Sequence, residues 1–360
     1  MEHAAERTPE VQWSVETAER QALRRVFIVG FPRSGTTWMM WLLARLPRVV
    51  TLQQSGLFHA LRGFERWWTT DHAFSKRADA DGEAASSELN GGPMRGGGRG
   101  FDGTTSVLDR ERYNALVRPI CAHVFDRIAS ASPGTEVVVE QTPENMELEK
   151  SIRGLFPDAY FLHVVRDPRD AAVSMLKAAK AWRNEFPGRP AHVANRWNEY
   201  IARARELRQS TDRYLEIRYE DLKTNGATEL KRVAAWLGVD ADESVCQAAI
   251  EECTLDRMRS QTDMPDGFFG KGTAGGFANE LSSANLRLVE YIVGENMESY
   301  GYERKHPKSR TKPMRLSLHE ALAARLGRSR LLWRVLTRGV RKSAAHVREE
   351  VRYTQAKGSS

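Results

Sequence analysis

The sequence predicts an α/β fold with a central, mainly parallel sheet and helices on both of its faces. Two observations lead there. Short β-branched or aromatic runs alternate along the chain with longer stretches of helical spacing, the pattern of strands joined by crossover helices. The first such pair is separated by a glycine-bracketed turn in FIVGFPRSGTTW, residues 27–38, which reads as strand, tight loop, helix.

The elements follow in order. Residues 1–24 are a polar lead-in, the first strand covers about Arg25 to Val29 and the first helix about Thr36 to Leu46. PRVVTLQQ is a second short strand, and GLFHALRGFERWW sets Leu57, Leu61, Phe64 and Trp68 at helical spacing. Residues 78–106 are glycine-rich and read as a loop or lid. A helix is expected over 109–130, then the strand EVVVE ending at Glu140, then a helix opened by Thr142-Pro143. AYFLHVVR is a buried strand and DPRDAAVSMLKAA a helix with Pro168 in its first turn. A long helix from about Val193 to Arg208, the strand YLEIRYEDL and the helix TELKRVAAWLGV, closed by Gly238, complete the alternation. The domain spans 25–304, and 305–360 is a basic helical extension.

Composition sets bounds. With 41% hydrophobic and 28% charged residues in 360, the chain can bury a large core. Its apolar runs are shorter than a membrane span and its N-terminus lacks an apolar signal core, so a cytoplasmic location is the default expectation. Cys121, Cys246 and Cys253 have no metal-ligand or redox spacing and are expected as buried thiols. The net charge of +7 is uneven: Lys305 to Arg352 holds fourteen Lys/Arg against three Asp/Glu, or +11, and the rest is mildly acidic. No nucleic-acid motif accompanies that charge, so no nucleic-acid partner is expected.

The first loop carries the chemistry. A nucleoside-triphosphate loop needs G-x-x-x-x-G-K-[ST]. Gly30 and Gly35 fill the glycine positions and Thr37 the hydroxyl position, but Thr36 stands where the lysine belongs and the cation is Arg33, mid-loop. Triphosphate chemistry relies on that lysine and on Mg²⁺. The backbone N–H groups of Phe31 to Thr37, at a helix N-terminus, can still cradle an anion. The fold expected is therefore a P-loop-like three-layer α/β/α arrangement.

GFPRSGTTW resembles the 5′-phosphosulfate loop of sulfotransferases that use 3′-phosphoadenosine-5′-phosphosulfate (PAPS). VVRDPRDAAVSMLK resembles the 3′-phosphate motif of the same family, with Arg166 at the strand end and Ser174 eight residues later on the next helix. IRYEDL is similar to the family strand whose tyrosine would be Tyr219, and ECTLDRM to the adenine segment, offering Thr254 and Met258. GFFGKGTAGGFANELS resembles the late RKGxxGDWKN loop, keeping Lys271 and Gly272 but placing Gly270 at the arginine position, for which Arg257 or Arg259 is a substitute. The resemblance runs from about 25 to 303 and closes on MESYGYER, as in bacterial members. It implies a bacterial PAPS-dependent sulfotransferase that requires no metal. Arg33, Ser34, Gly35, Thr36, Thr37, Trp38, Arg166, Ser174, Tyr219, Thr254, Lys271 and Gly272 would bind the cofactor, with Arg33 also catalytic. It implies a hydroxyl acceptor, less readily an amine, on a carbohydrate, glycolipid or secondary metabolite.

The general base is left open. An early glutamate position reads Leu52-Gln53-Gln54-Ser55, and an amide cannot usefully take a proton. After the third strand, Glu140 and Glu144 rank level as candidates and His59 third, each with a structural alternative: a strand-end partner, a helix-start charge, a histidine on an amphipathic helix. Two other classes stand beside the sulfotransferase: a nucleotide kinase or NTPase with an altered loop, and a non-catalytic membrane-surface scaffold on a nucleotide fold. In the extension, Leu322, Leu326, Leu332, Leu336 and Val340 recur between arginines, a basic amphipathic pattern. It fits a helix packed on the body or on a second subunit, or one lying on an anionic membrane that carries a lipid-linked acceptor.

Overall fold

A computed structural model describes residues 23–65, 108–181, 189–262 and 272–306. Among the described residues five strands form one sheet: β1 (Arg24–Val29), β2 (Val49–Gln53), β3 (Val137–Gln141), β4 (Tyr160–Val165) and β5 (Tyr214–Arg218). Their order is β2-β3-β1-β4-β5 and every pairing is parallel. β1 is central, so its four apolar residues, Val26 to Val29, must be covered on both sides. Phe27 and Val29 join one core and Val26 and Ile28 the other, as the alternation of side chains across a strand requires.

The helices that cover these cores are α1 (Thr36–Leu43), α2 (Arg110–Ser130), α3 (Glu149–Leu155), α4 (Pro168–Ala181), α5 (Pro190–Ser210), α6 (Tyr219–Thr224), α7 (Gly226–Leu237), α8 (Glu243–Glu252), α9 (Leu255–Ser260), α10 (Phe277–Glu280) and α11 (Ser283–Ser299). A further helical stretch covers 57–65. The first core gathers Val117 and Phe125 of α2, Trp197 and Tyr200 of α5 and Val289 of α11. The second gathers Met39 and Leu42 of α1, Val233 and Leu237 of α7 and Cys246 of α8. All three cysteines are free and buried. No helix among the described residues is long and apolar enough to cross a membrane.

Three expectations are corrected. YLEIRYEDL is not one strand: β5 stops at Arg218 and Tyr219 opens α6. Glu220 and Asp221 in the first turn favour a helix N-terminus through its dipole. The segment after Thr142 begins as a 3₁₀ turn, Pro143–Leu148, before α3. The lead-in ends earlier than residue 24, since Arg24 pairs with Val137 in the sheet. At the other end Lys305 and His306 still dock on the body, their N–H groups donating to Glu290 at 2.8 and 2.9 Å. Trp68, the glycine-rich stretch 78–106, Lys271 and the extension from 307 onward lie outside the described residues.

The topology places the site. After β1 the chain crosses toward β2, and after β4 toward β5. The carboxyl ends of β1 and β4 therefore flank a switch point, where open parallel sheets leave a crevice for a ligand.

Candidate functional site

The loop after β1 is built on two glycines at positive φ, Gly30 (φ 153°) and Gly35 (φ 96°). A Cβ at Gly30 would meet the Val164 carbonyl oxygen at 2.5 Å, and one at Gly35 the Tyr219 ring at 2.5 Å. Both positions are thus closed to a side chain by neighbours as well as by conformation. Between them Arg33 itself adopts φ 74°, a strained conformation for a side-chain-bearing residue. The Ser34 N–H is spent on the turn, donating to Phe31 O at 3.1 Å, so it is not among the amides free to face a ligand.

Two guanidinium groups meet there. Arg33 Nε donates to Ser174 Oγ at 3.1 Å, and Arg166 donates to Arg33 O at 3.0 Å and to Thr273 O at 2.9 Å. Arg33 thus bonds both residues, Ser174 through its side chain and Arg166 through its backbone carbonyl. Burial, and then the neighbouring charge of Arg166, lower the Arg33 pKa to about 10. Ser34 Oγ and Arg166 Nε are buried with no hydrogen-bond partner among the described residues. A cradle of glycines, two adjacent cations and two unpartnered polar atoms is a fit for phosphate or sulfate oxygens.

Tyr219 organises the flank. Its ring lies under Arg166, 4.4 Å from the guanidinium carbon, and edge-on to Trp38 at 5.7 Å, while its hydroxyl donates to Gly272 O at 3.0 Å. Trp38 Nε1 donates to Cys253 O at 3.0 Å, which ties α1 to the segment where Thr254 is exposed and Met258 is buried. Thr36 is buried and accepts from Gln141 Nε2 at 3.1 Å, and Thr37 is half-buried. The late loop is held by Asp170, whose carboxylate accepts from the N–H groups of Gly275 (2.6 Å) and Phe277 (2.8 Å). Arg169, stacked over Phe277 at 4.0 Å, pairs with Asp167 and Glu290, each at 2.7 Å. Arg257 is exposed and Arg259 pairs with Asp256 at 3.6 Å.

The candidate bases differ sharply. Glu140 is fully buried, and its carboxylate accepts from Ser55 Oγ (2.8 Å), Ser55 N (3.3 Å), Thr142 Oγ1 (2.5 Å) and Asn145 Nδ2 (2.7 Å). Burial pushes its pKa up, and these hydrogen bonds offset that only in part, so the carboxyl stays above its usual range. Glu144 is half-buried, in the first turn of the segment that follows β3. Burial pushes its carboxyl above the usual range, its own N–H and His59 oppose that, Glu147 adds to it and Arg196 opposes it. His59 is exposed.

Glu147, Arg196 and Tyr200, and the late-loop anchors Arg169 and Asp170, escaped the sequence reading. The i, i+4 spacing of Arg196 and Tyr200 on one helix was the available signal. Their convergence on Glu147 is long-range and has no sequence signature. Among the described residues no cluster of His, Cys, Asp and Glu is arranged to hold a metal ion.

Comparison with known proteins bears on this arrangement. The chain is 27% identical over 182 residues to omega-hydroxy-beta-dihydromenaquinone-9 sulfotransferase Stf3 of Mycobacterium tuberculosis, covering 48% of this chain and 43% of that protein. The match therefore spans less than half the length of that relative. It is 21% identical over 249 residues to cytosolic sulfotransferase 16 of Arabidopsis thaliana, covering 55% of this chain and 72% of that one. Among solved structures, mouse sulfotransferase SULT7A1 complexed with PAP aligns with TM-score 0.43 and 16% identity over 77% of this chain and 88% of that one. The description of the Sulfotransferase family matches residues 25–243, more than half of the chain and inclusive of the β1 loop, Arg166 and Tyr219. The chain belongs to the sulfotransferase family.

Proposed function

We propose that the protein transfers the sulfuryl group of PAPS to a hydroxyl of a small-molecule, glycan or lipid-linked acceptor. The observation that carries this reading is the meeting of Arg33 and Arg166 at the carboxyl ends of β1 and β4, with buried Ser34 Oγ and Arg166 Nε still to be satisfied. When bound, PAPS supplies an activated sulfuryl group on its 5′-phosphate and an anchoring 3′-phosphate. Arg33, with the hydroxyls of Ser34, Thr36 and Thr37, balances negative charge as it develops on the leaving phosphate oxygen. Arg33 stays charged even at a pKa of about 10, so it acts as a fixed cation and not as an acid. Arg166 and Ser174 hold the 3′-phosphate, Trp38, Tyr219 and Thr254 border the adenine side, and Lys271 and Gly272 complete the late loop.

Glu144 takes the acceptor proton. Its partial exposure favours it over Glu140, whose carboxyl burial raises likewise but which is fully buried and committed to four donors. That the Mycobacterium relative is named for a hydroxylated quinone supports a hydroxyl acceptor here. The basic extension, if it binds anionic lipid, would bring the enzyme to such an acceptor.

The test is thermal shift with PAP, 3′-phosphoadenosine-5′-phosphate, against ATP with Mg²⁺, followed by transfer of labelled sulfate from PAPS into a host extract. Stabilisation by PAP and a labelled product support the reading. Stabilisation by ATP with Mg²⁺ alone points to the kinase class, and PAP binding without product points to the scaffold.

A further inference from the structure

We propose that Glu147, held by Arg196 and Tyr200, is a positioning residue of the sulfuryl-transfer site: it braces the wall of the β1 loop and, with Arg196, sets opposed charges beside Glu144. The inference rests on the reading of Glu144 as the base. Glu147 Oε1 accepts from Arg196 at 2.6 Å and from the Tyr200 hydroxyl at 3.0 Å, and its Oε2 accepts from Arg62 at 3.3 Å. One carboxylate thus joins three segments: the helical stretch 57–65, the turn after β3, and α5.

The unit reaches the loop. Tyr200 is buried and its ring meets Phe31 edge-on at 5.5 Å. Phe31 is itself buried, two residues before Arg33. The Arg196 guanidinium lies 5.6 Å from the centre of the Tyr200 ring. From Phe31 through Tyr200 to Glu147 the contacts are continuous, and Glu147 sits three residues from Glu144 on the same short segment.

The unit also reaches the proton acceptor. Glu144 and Glu147 share the turn Pro143–Leu148, and the charged and titratable groups in electrostatic reach of Glu144 are His59 from the 57–65 stretch, Glu147, and Arg196 and Tyr200 from α5. Around Arg196 stand Glu199 at 3.8 Å and His192, whose imidazole is pulled below its ordinary range by burial, Arg196 and Arg189. Burial works to raise the Glu147 carboxyl, but Arg196, Tyr200 and Arg62 together hold it low, so it carries a full negative charge at neutral pH. That charge makes a proton on Glu144 more favourable, and Arg196 makes it less so.

The experiment reads Glu144 directly. The full chain is labelled with ¹³C at glutamate side-chain carboxyls and titrated by NMR, with Glu144 identified as the signal lost in Glu144→Gln. Glu147→Gln is expected to move the Glu144 midpoint to lower pH and Arg196→Gln to higher pH, each by at least about half a unit, or about threefold in proton affinity. If Glu147→Gln does not fold, Arg196→Gln alone decides, because Arg196 is partly exposed and its upward shift is the distinguishing sign. Midpoints that stay put, or that move the same way in both variants, overturn the inference. Sulfate transfer from PAPS into host extract separates the two levels. Near-full transfer by Glu144→Gln overturns both the base reading and this inference. Lost transfer with unmoved midpoints overturns this inference alone.

Discussion

Arg166→Ala isolates the contribution of the 3′-phosphate to binding. In the structure Arg166 uses two of its nitrogens on Arg33 O and Thr273 O, at 3.0 and 2.9 Å, and leaves Nε buried and without a partner among the described residues. A phosphate at Nε gains a charge-assisted hydrogen bond, worth about 1.5–3 kcal/mol, or roughly 10- to 150-fold in Kd. The same substitution releases Arg33 O, so a nucleotide lacking the 3′-phosphate also loses affinity, but only through a looser loop and without losing a direct contact to Arg166. Titration calorimetry with PAP and with AMP measures both losses on one protein. PAP affinity is expected to fall at least about tenfold more than AMP affinity. Equal losses would mean that Arg166 supports the loop without touching the 3′-phosphate, and the site assignment would have to be redrawn.

Four further outcomes are expected. Arg33→Ala lowers turnover by at least about a hundredfold, the scale of a lost electrostatic donor to the transition state, while PAP affinity falls less; single-turnover assays and calorimetry compare the two. Glu144→Gln loses about 10²–10⁴ in turnover with PAP binding retained. Glu140→Gln instead turns an amide toward donors and lowers stability by about 1–3 kcal/mol, read by denaturant melts. The fourth expectation concerns pH. Burial works to raise Glu216, but hydrogen bonds and charge from His163, then Tyr214 and Tyr300, outweigh it and hold its pKa down to about 2. A carboxyl depressed in the fold contributes stability that is present above its unfolded value and is lost as pH falls through the folded one. Glu216→Gln should therefore cost about 1–3 kcal/mol at pH 7 and progressively less between about pH 4.5 and pH 2. A cost independent of pH would show that packing, not charge, is what Glu216 contributes.

Local pattern was enough for much of this molecule. The alternation of strands and helices, the glycine-bracketed loop, the caps and the Arg166/Ser174 spacing are short-range features, and short-range features are what backbone sterics and periodicity write into a sequence. Gly30 and Gly35 could be read as turn glycines, but that Val164 and Tyr219 press against them could not. Sequence placed Tyr219 on a strand, and only the packed structure shows it opening a helix, its ring under one arginine and its hydroxyl on the late loop. Glu140 and Glu144 were indistinguishable in the chain, four residues apart with the same side chain. The tertiary structure separates them, because burial and partners are set by segments distant in sequence: Ser55 reaches Glu140 across 85 positions, and Arg196 reaches Glu147 across 49. Composition and periodicity determine which elements form. The strengths and pKa directions of the charged groups follow from desolvation and proximity, which exist only once those elements have packed.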